Sequence, residues 1–162
     1  MSGRLPSDEI SICRACGQPI PEHAARYRTP AGDIHVHCHE EPRVLVIEGD
    51  SAFREAVVGM VERIGYMADE AANGQEAIER FPRSSYDVIL CALGMPAMNG
   101  PAFYREIQRR YPGARSRIIF MTAHAELHEH TPFLTAVGAT VLRKPFSIEE
   151  LRLAIASPGR TA

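Results

Sequence analysis

From residue 43 onward, unbroken apolar runs alternate with stretches in which apolar residues recur every three to four positions. Val44-Leu45-Val46-Ile47 is a continuous apolar run, the pattern of a parallel strand buried on both faces. After Asp50-Ser51, the residues Phe53, Ala56, Val57, Met60, Val61 and Ile64 trace a helical stripe. A short strand around Tyr66-Met67-Ala68 follows, and Asn73-Gly74 opens a helix with Ala77, Ile78 and Phe81 on one side, stopped by Pro82. Asp87 to Cys91 reads as the third strand. Gly100-Pro101 begins a helix with Phe103 and Ile107 facing inward, and Pro112-Gly113 ends it. Arg117 to Met121 is the fourth strand. Because Pro132 interrupts the pattern, the fourth helix is expected to start at Thr131-Pro132, run through Phe133, Leu134 and Val137, and end at Gly138. Thr140-Val141-Leu142 is the fifth strand. Ser147-Ile148-Glu149-Glu150 matches a capping box for a last helix that buries Ile148, Leu151 and Ile155. Strict alternation of strand and helix predicts an α/β, doubly wound, five-stranded parallel sheet with helices on both faces. A site in such a fold lies at the carboxyl ends of the strands.

The character of the chain changes near Glu40-Glu41-Pro42. Residues 1–41 are expected to form a small metal module with a disordered start, residues 42–157 the α/β domain, and residues 158–162 a short tail. A length of 162 residues, 45% hydrophobic and 23% charged, suits one ordinary domain plus such a module. The net charge of −2 gives no bulk pull toward nucleic acid or acidic membranes. Met1 to Ile12 contains Arg4, Asp8 and Glu9 and has no apolar core, so it does not read as a signal peptide. The uncharged run from Val88 to Pro101 is broken by Gly94, Pro96 and Gly100, short of the ~18 apolar residues that span a bilayer. A cytoplasmic protein is expected. Lys144 is the only lysine among the 18 basic residues.

Cys13-x2-Cys16 and His35-x2-Cys38 supply three thiolates and an imidazole. Zn²⁺ takes four such ligands tetrahedrally, and a Cys-x2-Cys knuckle bends the backbone around the ion. His37 and His39 compete with His35 for the fourth place. The spacing resembles the first half of a LIM-type zinc module, including Gly17-Gln18-Pro19-Ile20 after the knuckle, and stops after Cys38. Four protein ligands leave no open position for water, so the zinc is expected to be structural. Its binding, ~10–16 kcal/mol, would be the folding energy of this segment. With four basic and six acidic residues before residue 42, the module is expected to dock protein and not DNA. Cys91 lies inside a strand pattern and reads as core.

The predicted strand ends carry Glu48-Gly49-Asp50, then Cys91 to Pro96, then Thr122-Ala123, then Lys144-Pro145. With Gly94-Met95-Pro96-Ala97-Met98-Asn99-Gly100, Met121-Thr122-Ala123 and Lys144-Pro145-Phe146 in this order, Arg43 to Ala156 resembles the CheY-like receiver domain of two-component response regulators. The resemblance implies a flavodoxin-like strand order of 2-1-3-4-5. In that family two acidic residues after the first strand and an Asp ending the third hold Mg²⁺. The Asp takes the phosphoryl group, and a Thr and a Lys grip it. Carried onto this sequence, the acidic pair falls on Glu48 and Gly49, the phosphoacceptor on Ala92, the Thr on Thr122, and the Lys on Lys144. The aromatic that turns inward on activation falls on Val141.

Three positions depart from the pattern. Ala92 has no nucleophilic atom, Gly49 removes a metal ligand, and Val141 cannot make the rotamer switch. The expectation is a non-enzymatic pseudo-receiver, an adaptor with weak or no Mg²⁺ binding. Its partner would be a histidine kinase or another regulator, docking on roughly Thr131 to Ala156. The alternatives are a phosphorelay regulator modified at a non-standard site and, with less support, a zinc-dependent DNA-binding regulator. Thr122 and Lys144 also have a plain structural reading, with Thr122 capping a turn and Lys144 pairing with Glu48. Asp50 suits a helix N-cap as well as a ligand. His124, His128 and His130 are expected in a solvated loop before Pro132, although His124 and His128 stand at helical spacing for a metal.

Overall fold

The computed structural model describes residues 11–12, 19–20, 26–29, 32–35, 42–81, 86–112 and 118–156. The chain divides into two compact units, Met1–Glu41 and Pro42–Ala162. In the first, β1 (Ser11–Ile12) pairs antiparallel with β2 (Pro19–Ile20), and β3 (Arg26–Thr29) with β4 (Gly32–His35). His35 ends β4, opposite Arg26. Cys13, Cys16, Cys38, His37 and His39 lie outside the described residues.

The second unit runs β5 (Arg43–Ile47), α1 (Ser51–Arg63), β6 (Met67–Ala71), α2 (Gly74–Arg80), β7 (Val88–Ala92), α3 (Gly100–Arg110), β8 (Ile118–Thr122), α4 (His124–Val137), β9 (Thr140–Arg143) and α5 (Ile148–Ala156). The sheet is wholly parallel in the order β6-β5-β7-β8-β9, which is 2-1-3-4-5 within this unit. Successive strand residues point to opposite faces, so one apolar run supplies two cores. Leu45, Ile47, Ile89, Cys91 and Phe120 pack with Ala77 and Ile78 of α2, Phe103 and Ile107 of α3, and Leu134 of α4. Val44, Val46, Leu90, Ala92, Ile119 and Met121 pack with Val57 and Val61 of α1 and Leu151 and Ile155 of α5.

Local chemistry sets where the helices begin. Asp50, Asn73 and Asn99 each accept from the backbone N–H three residues on, at 3.0, 3.0 and 2.9 Å. Ser147 and Glu150 close the predicted capping box: the Ser147 N–H donates to Glu150 Oε2 at 2.7 Å, and the Glu150 N–H to Ser147 Oγ at 3.1 Å.

The fourth helix differs from expectation. It starts at His124 and carries Pro132 inside, so His124, His128 and His130 stand on a helix and not in a loop. A proline takes its own N–H out of the ladder, here the bond to the His128 carbonyl, and its ring crowds that carbonyl. Two local bonds and packing hold the helix on both sides of that gap. Glu126 reaches back to the Ala123 N–H, Thr131 Oγ1 donates to the Leu127 carbonyl at 2.6 Å, and Phe133 packs edge-to-face on Phe120 and Tyr104. The second strand also runs further than the expected Tyr66 to Ala68, through Asp69 and Glu70. It lies at the sheet edge, where Asp69 Oδ2 accepts from Tyr86 Oη at 2.8 Å and from Arg43 at 3.2 Å.

Two glycine-to-alanine substitutions should move stability in opposite directions. A Cβ at Gly100 would meet the Ala92 carbonyl oxygen at 2.8 Å and Leu93 Cα at 3.0 Å, both backbone atoms. The Gly100 N–H also donates to the Leu93 carbonyl at 2.9 Å, which anchors the approach. Gly100→Ala should lower the unfolding free energy by about 1–3 kcal/mol. Gly59 lies inside α1, and a Cβ there would meet nothing within 4 Å. Gly59→Ala should raise the unfolding free energy by about 0.5–1 kcal/mol. Urea unfolding of both variants measures the difference.

Candidate functional site at the strand ends

The carboxyl ends of β5, β7, β8 and β9 lie side by side, and each delivers one of the residues singled out above. Glu48 follows β5 directly and is only 3% exposed, its N–H donating to the Ala71 carbonyl at 3.0 Å. Its Oε2 forms a close ion pair with Lys144 Nζ, and its Oε1 accepts from the Asp50 N–H at 3.1 Å. The Glu48 carbonyl accepts from the Arg54 guanidinium at 2.7 Å, and Arg54 Nε faces Glu70 at 3.6 Å. Lys144 follows β9, and its own N–H donates to the Thr122 carbonyl at 2.8 Å. Its ammonium lies 4.6 Å from the centre of the Phe53 ring, which meets Phe146 edge-to-face at 5.7 Å. The Lys144–Pro145 peptide is cis.

Between these two charged residues the site offers little polar chemistry. Ala92 ends β7 fully buried, beside Met121 of β8, with its methyl in the core shared with α1 and α5. Thr122 is fully buried, and its hydroxyl donates to the Ala123 carbonyl at 3.1 Å. A Cβ at Gly49 would meet Pro96 Cδ at 3.1 Å, a tight contact with a rigid ring. The space a side chain at Gly94 would need is taken by the Glu126 carboxylate, whose Oε2 accepts from the Ala123 N–H at 3.4 Å. Val141 is half-buried against the core that holds Phe120. Cys91 is buried on the opposite face from Ala92, its Sγ 3.4 Å from the Ala92 carbonyl. Burial pushes its thiol well above the usual range, reinforced by the Glu48 charge and opposed by Lys144, so it stays protonated and packs as an apolar side chain.

The structure therefore joins Glu48 to Lys144 directly and Thr122 to Lys144 through the backbone, with Ala92 and Gly49 supplying no donor atom. Asp50 acts as the N-cap of α1. Sequence reasoning does not point to Phe53, Arg54 or Glu126 as residues of the site. Phe53 is part of the α1 stripe, Arg54 stands one turn into that helix, and Glu126 lies in a segment whose pattern reads as loop. A small hard cation such as Mg²⁺ wants an octahedron of oxygens. The carboxylates near the Ala92 strand end are Glu48, with both oxygens engaged, Asp50, with Oδ1 engaged by the Phe53 N–H, and Glu126, with Oε2 engaged by the Ala123 N–H. Most of these oxygens already accept a hydrogen bond or an ion pair. Among the described residues no three His, Cys, Asp or Glu side chains converge as a metal group.

Removing one partner of a buried ion pair leaves the other charge without compensation, which costs far more than removing both. Lys144→Met should therefore destabilise the domain by about 3 kcal/mol. Adding Glu48→Gln to that variant should recover most of the loss. Chemical denaturation of the two single variants and the double variant reads this coupling.

The sequence matches the response regulator receiver domain family over residues 44–156. The transcriptional regulatory protein ResD of Bacillus subtilis is 32% identical over 115 residues, 71% of this chain and 47% of that protein. The sensor kinase CckA of Brucella abortus is 32% identical over 112 residues, 67% of this chain and 11% of that protein. The chain thus spans less than half the length of these curated relatives. Among solved structures, a response regulator receiver domain protein from Clostridium thermocellum superposes with a TM-score of 0.65 at 26% identity, covering 73% of this chain and 94% of that one. The receiver domain of a sensor histidine kinase from Pseudomonas aeruginosa, solved with magnesium coordinated in its active site cleft, superposes at 0.64 with 27% identity, covering 72% and 95%. Strand order, the residues gathered at the strand ends and these matches agree: the chain belongs to the response regulator receiver domain family of two-component signalling.

Proposed function

We propose that this chain is a pseudo-receiver, a phosphorylation-independent adaptor that signals by binding protein and catalyses no reaction. The observation that carries the reading is Ala92, a buried methyl at the end of β7 where acyl-phosphate formation needs a carboxylate. The Glu48–Lys144 pair supports it, because the ammonium that would grip a phosphoryl group is already committed to a carboxylate. The oxygen donors beside Ala92 are too few and too engaged for Mg²⁺.

The relatives include a sensor kinase and transcriptional regulators, and receiver domains work by contact with kinases and other regulators. We place this chain in the cytoplasm, and a histidine kinase or a second regulator is the proposed partner class, seated on α4, β9 and α5. Eighteen basic against twenty acidic residues favour a protein partner over nucleic acid. Among the described residues no helix is long and apolar enough to cross a membrane. The amino-terminal module is proposed to hold one structural Zn²⁺ through Cys13, Cys16, His35 and Cys38, on ligand type and spacing.

Two measurements test these readings. After incubation with Mg²⁺ and a small acyl-phosphate donor, intact mass should be unchanged, while an ordinary receiver treated alongside gains a phosphoryl group. A Mg²⁺-dependent adduct on this chain would overturn the adaptor reading. Elemental analysis of chain purified without chelators should find about one zinc per molecule. Cys16→Ser should lose that zinc, and retention by the variant would remove the proposed ligand set.

A further inference from the structure

The start of α4 at His124 has a chemical consequence. A helix brings residues four apart onto one face, one turn above the other. His124 and His128 are both exposed there, with ring centroids 6.4 Å apart and planes at 75°. Neither ring has a described hydrogen bond or ion pair, and the rings face each other. His130 lies on another side of the helix, about 200° around from His128. The Glu126 carboxylate is engaged at Ala123 and Gly94, away from the pair.

Two imidazoles at this spacing make a bidentate nitrogen donor, the arrangement by which one helix face grips zinc. With Zn–N bonds of about 2.1 Å, two rings on one tetrahedral ion have centroids about 5 Å apart. Exposed histidine rings turn freely about χ2, which closes a difference of this size. We propose that His124 and His128 form a surface site for a divalent transition cation of the zinc, nickel and copper class, bound by two imidazole nitrogens with water in the remaining positions. Imidazole suits these ions, and oxygen-seeking Mg²⁺ or Ca²⁺ would pass it by. With no third protein ligand among the described residues, the site binds more weakly than a four-ligand zinc centre and exchanges its ion.

The location gives such binding an effect on the helix. The His128 carbonyl is the one that residue 132 would bond, and Pro132 has no N–H to give it. A chelate from His124 to His128 ties the turn immediately before that gap, so bound metal should hold the first half of α4 together.

The test uses the full chain after one equivalent of Zn²⁺ has been added, enough to fill the proposed amino-terminal site. Further Zn²⁺ is then added while NMR follows the histidine ring nitrogens and the backbone amides. His124 and His128 should shift along one common isotherm, and amide exchange in the first two turns of α4 should slow. His128→Ala should raise the zinc concentration needed to half-saturate the His124 shift by roughly tenfold or more. His130→Ala should leave that concentration unchanged. Separate isotherms for the two rings, a His124 response indifferent to His128→Ala, or no shift on saturation with zinc would each overturn the proposal. The exchange measurement on the unaltered chain gives a readout that does not depend on any variant folding.

Discussion

The ion pair between Glu48 and Lys144 joins the end of β5 to the end of β9 across the ends of the two strands between them, β7 and β8. A carboxylate only 3% exposed is costly to hold without a counter-charge, and the lysine supplies it from the end of β9. The surrounding contacts follow from that requirement. The Asp50 N–H takes the second Glu48 oxygen, Arg54 takes the Glu48 carbonyl, and the Lys144 ammonium lies over the Phe53 ring, which meets Phe146 edge-to-face. The residues that begin α1 are thereby fixed against the loop that follows β9. The pair thus reads as a fastener between distant parts of the chain.

Between the two charges the strand ends offer few polar side chains. In a phosphorylatable receiver the same strand end must hold a carboxylate and, through it, a metal ion and a phosphoryl group. Here the β7 strand ends on a methyl group, a side chain at Gly49 would crowd Pro96, and Glu126 fills the space over Gly94. Lys144 would have to leave Glu48 to bind an incoming anion, and that would strand a buried negative charge. The proposed adaptor role is consistent with a site whose charges satisfy each other.

Much of this architecture is legible in the sequence because parallel strands buried on both faces advertise themselves. Val44 to Ile47 and Ile118 to Met121 leave little choice of element, and Asp50, Asn73, Asn99 and Ser147 mark helix starts by side-chain chemistry. The pairing of Lys144 with Glu48 is also foreseeable as the structural use of a lone lysine. Two elements are not. The edge strand β6 carries Asp69 and Glu70, whose polarity hides a strand that Arg43 and Tyr86 make tolerable. The start of α4 is hidden because Pro132 outweighs the helix-forming Ala, Glu and Leu before it when only local pattern is read. Tertiary packing of Phe133 and Leu134, with Glu126 and Thr131 bonding the backbone, decides the matter. Glu126 beside Gly94 is the related omission, since a residue placed in the wrong element cannot be assigned to the right site.

The central claim is that information passes through this domain by contact and without covalent phosphate. Its most direct test is made on the protein isolated from its own cells under signalling conditions, with rapid cold handling near neutral or mildly acidic pH that preserves acyl phosphates. Intact-mass analysis before and after hydroxylamine should give the same unphosphorylated mass. A hydroxylamine-labile phosphoryl group recovered from the native protein would contradict the account.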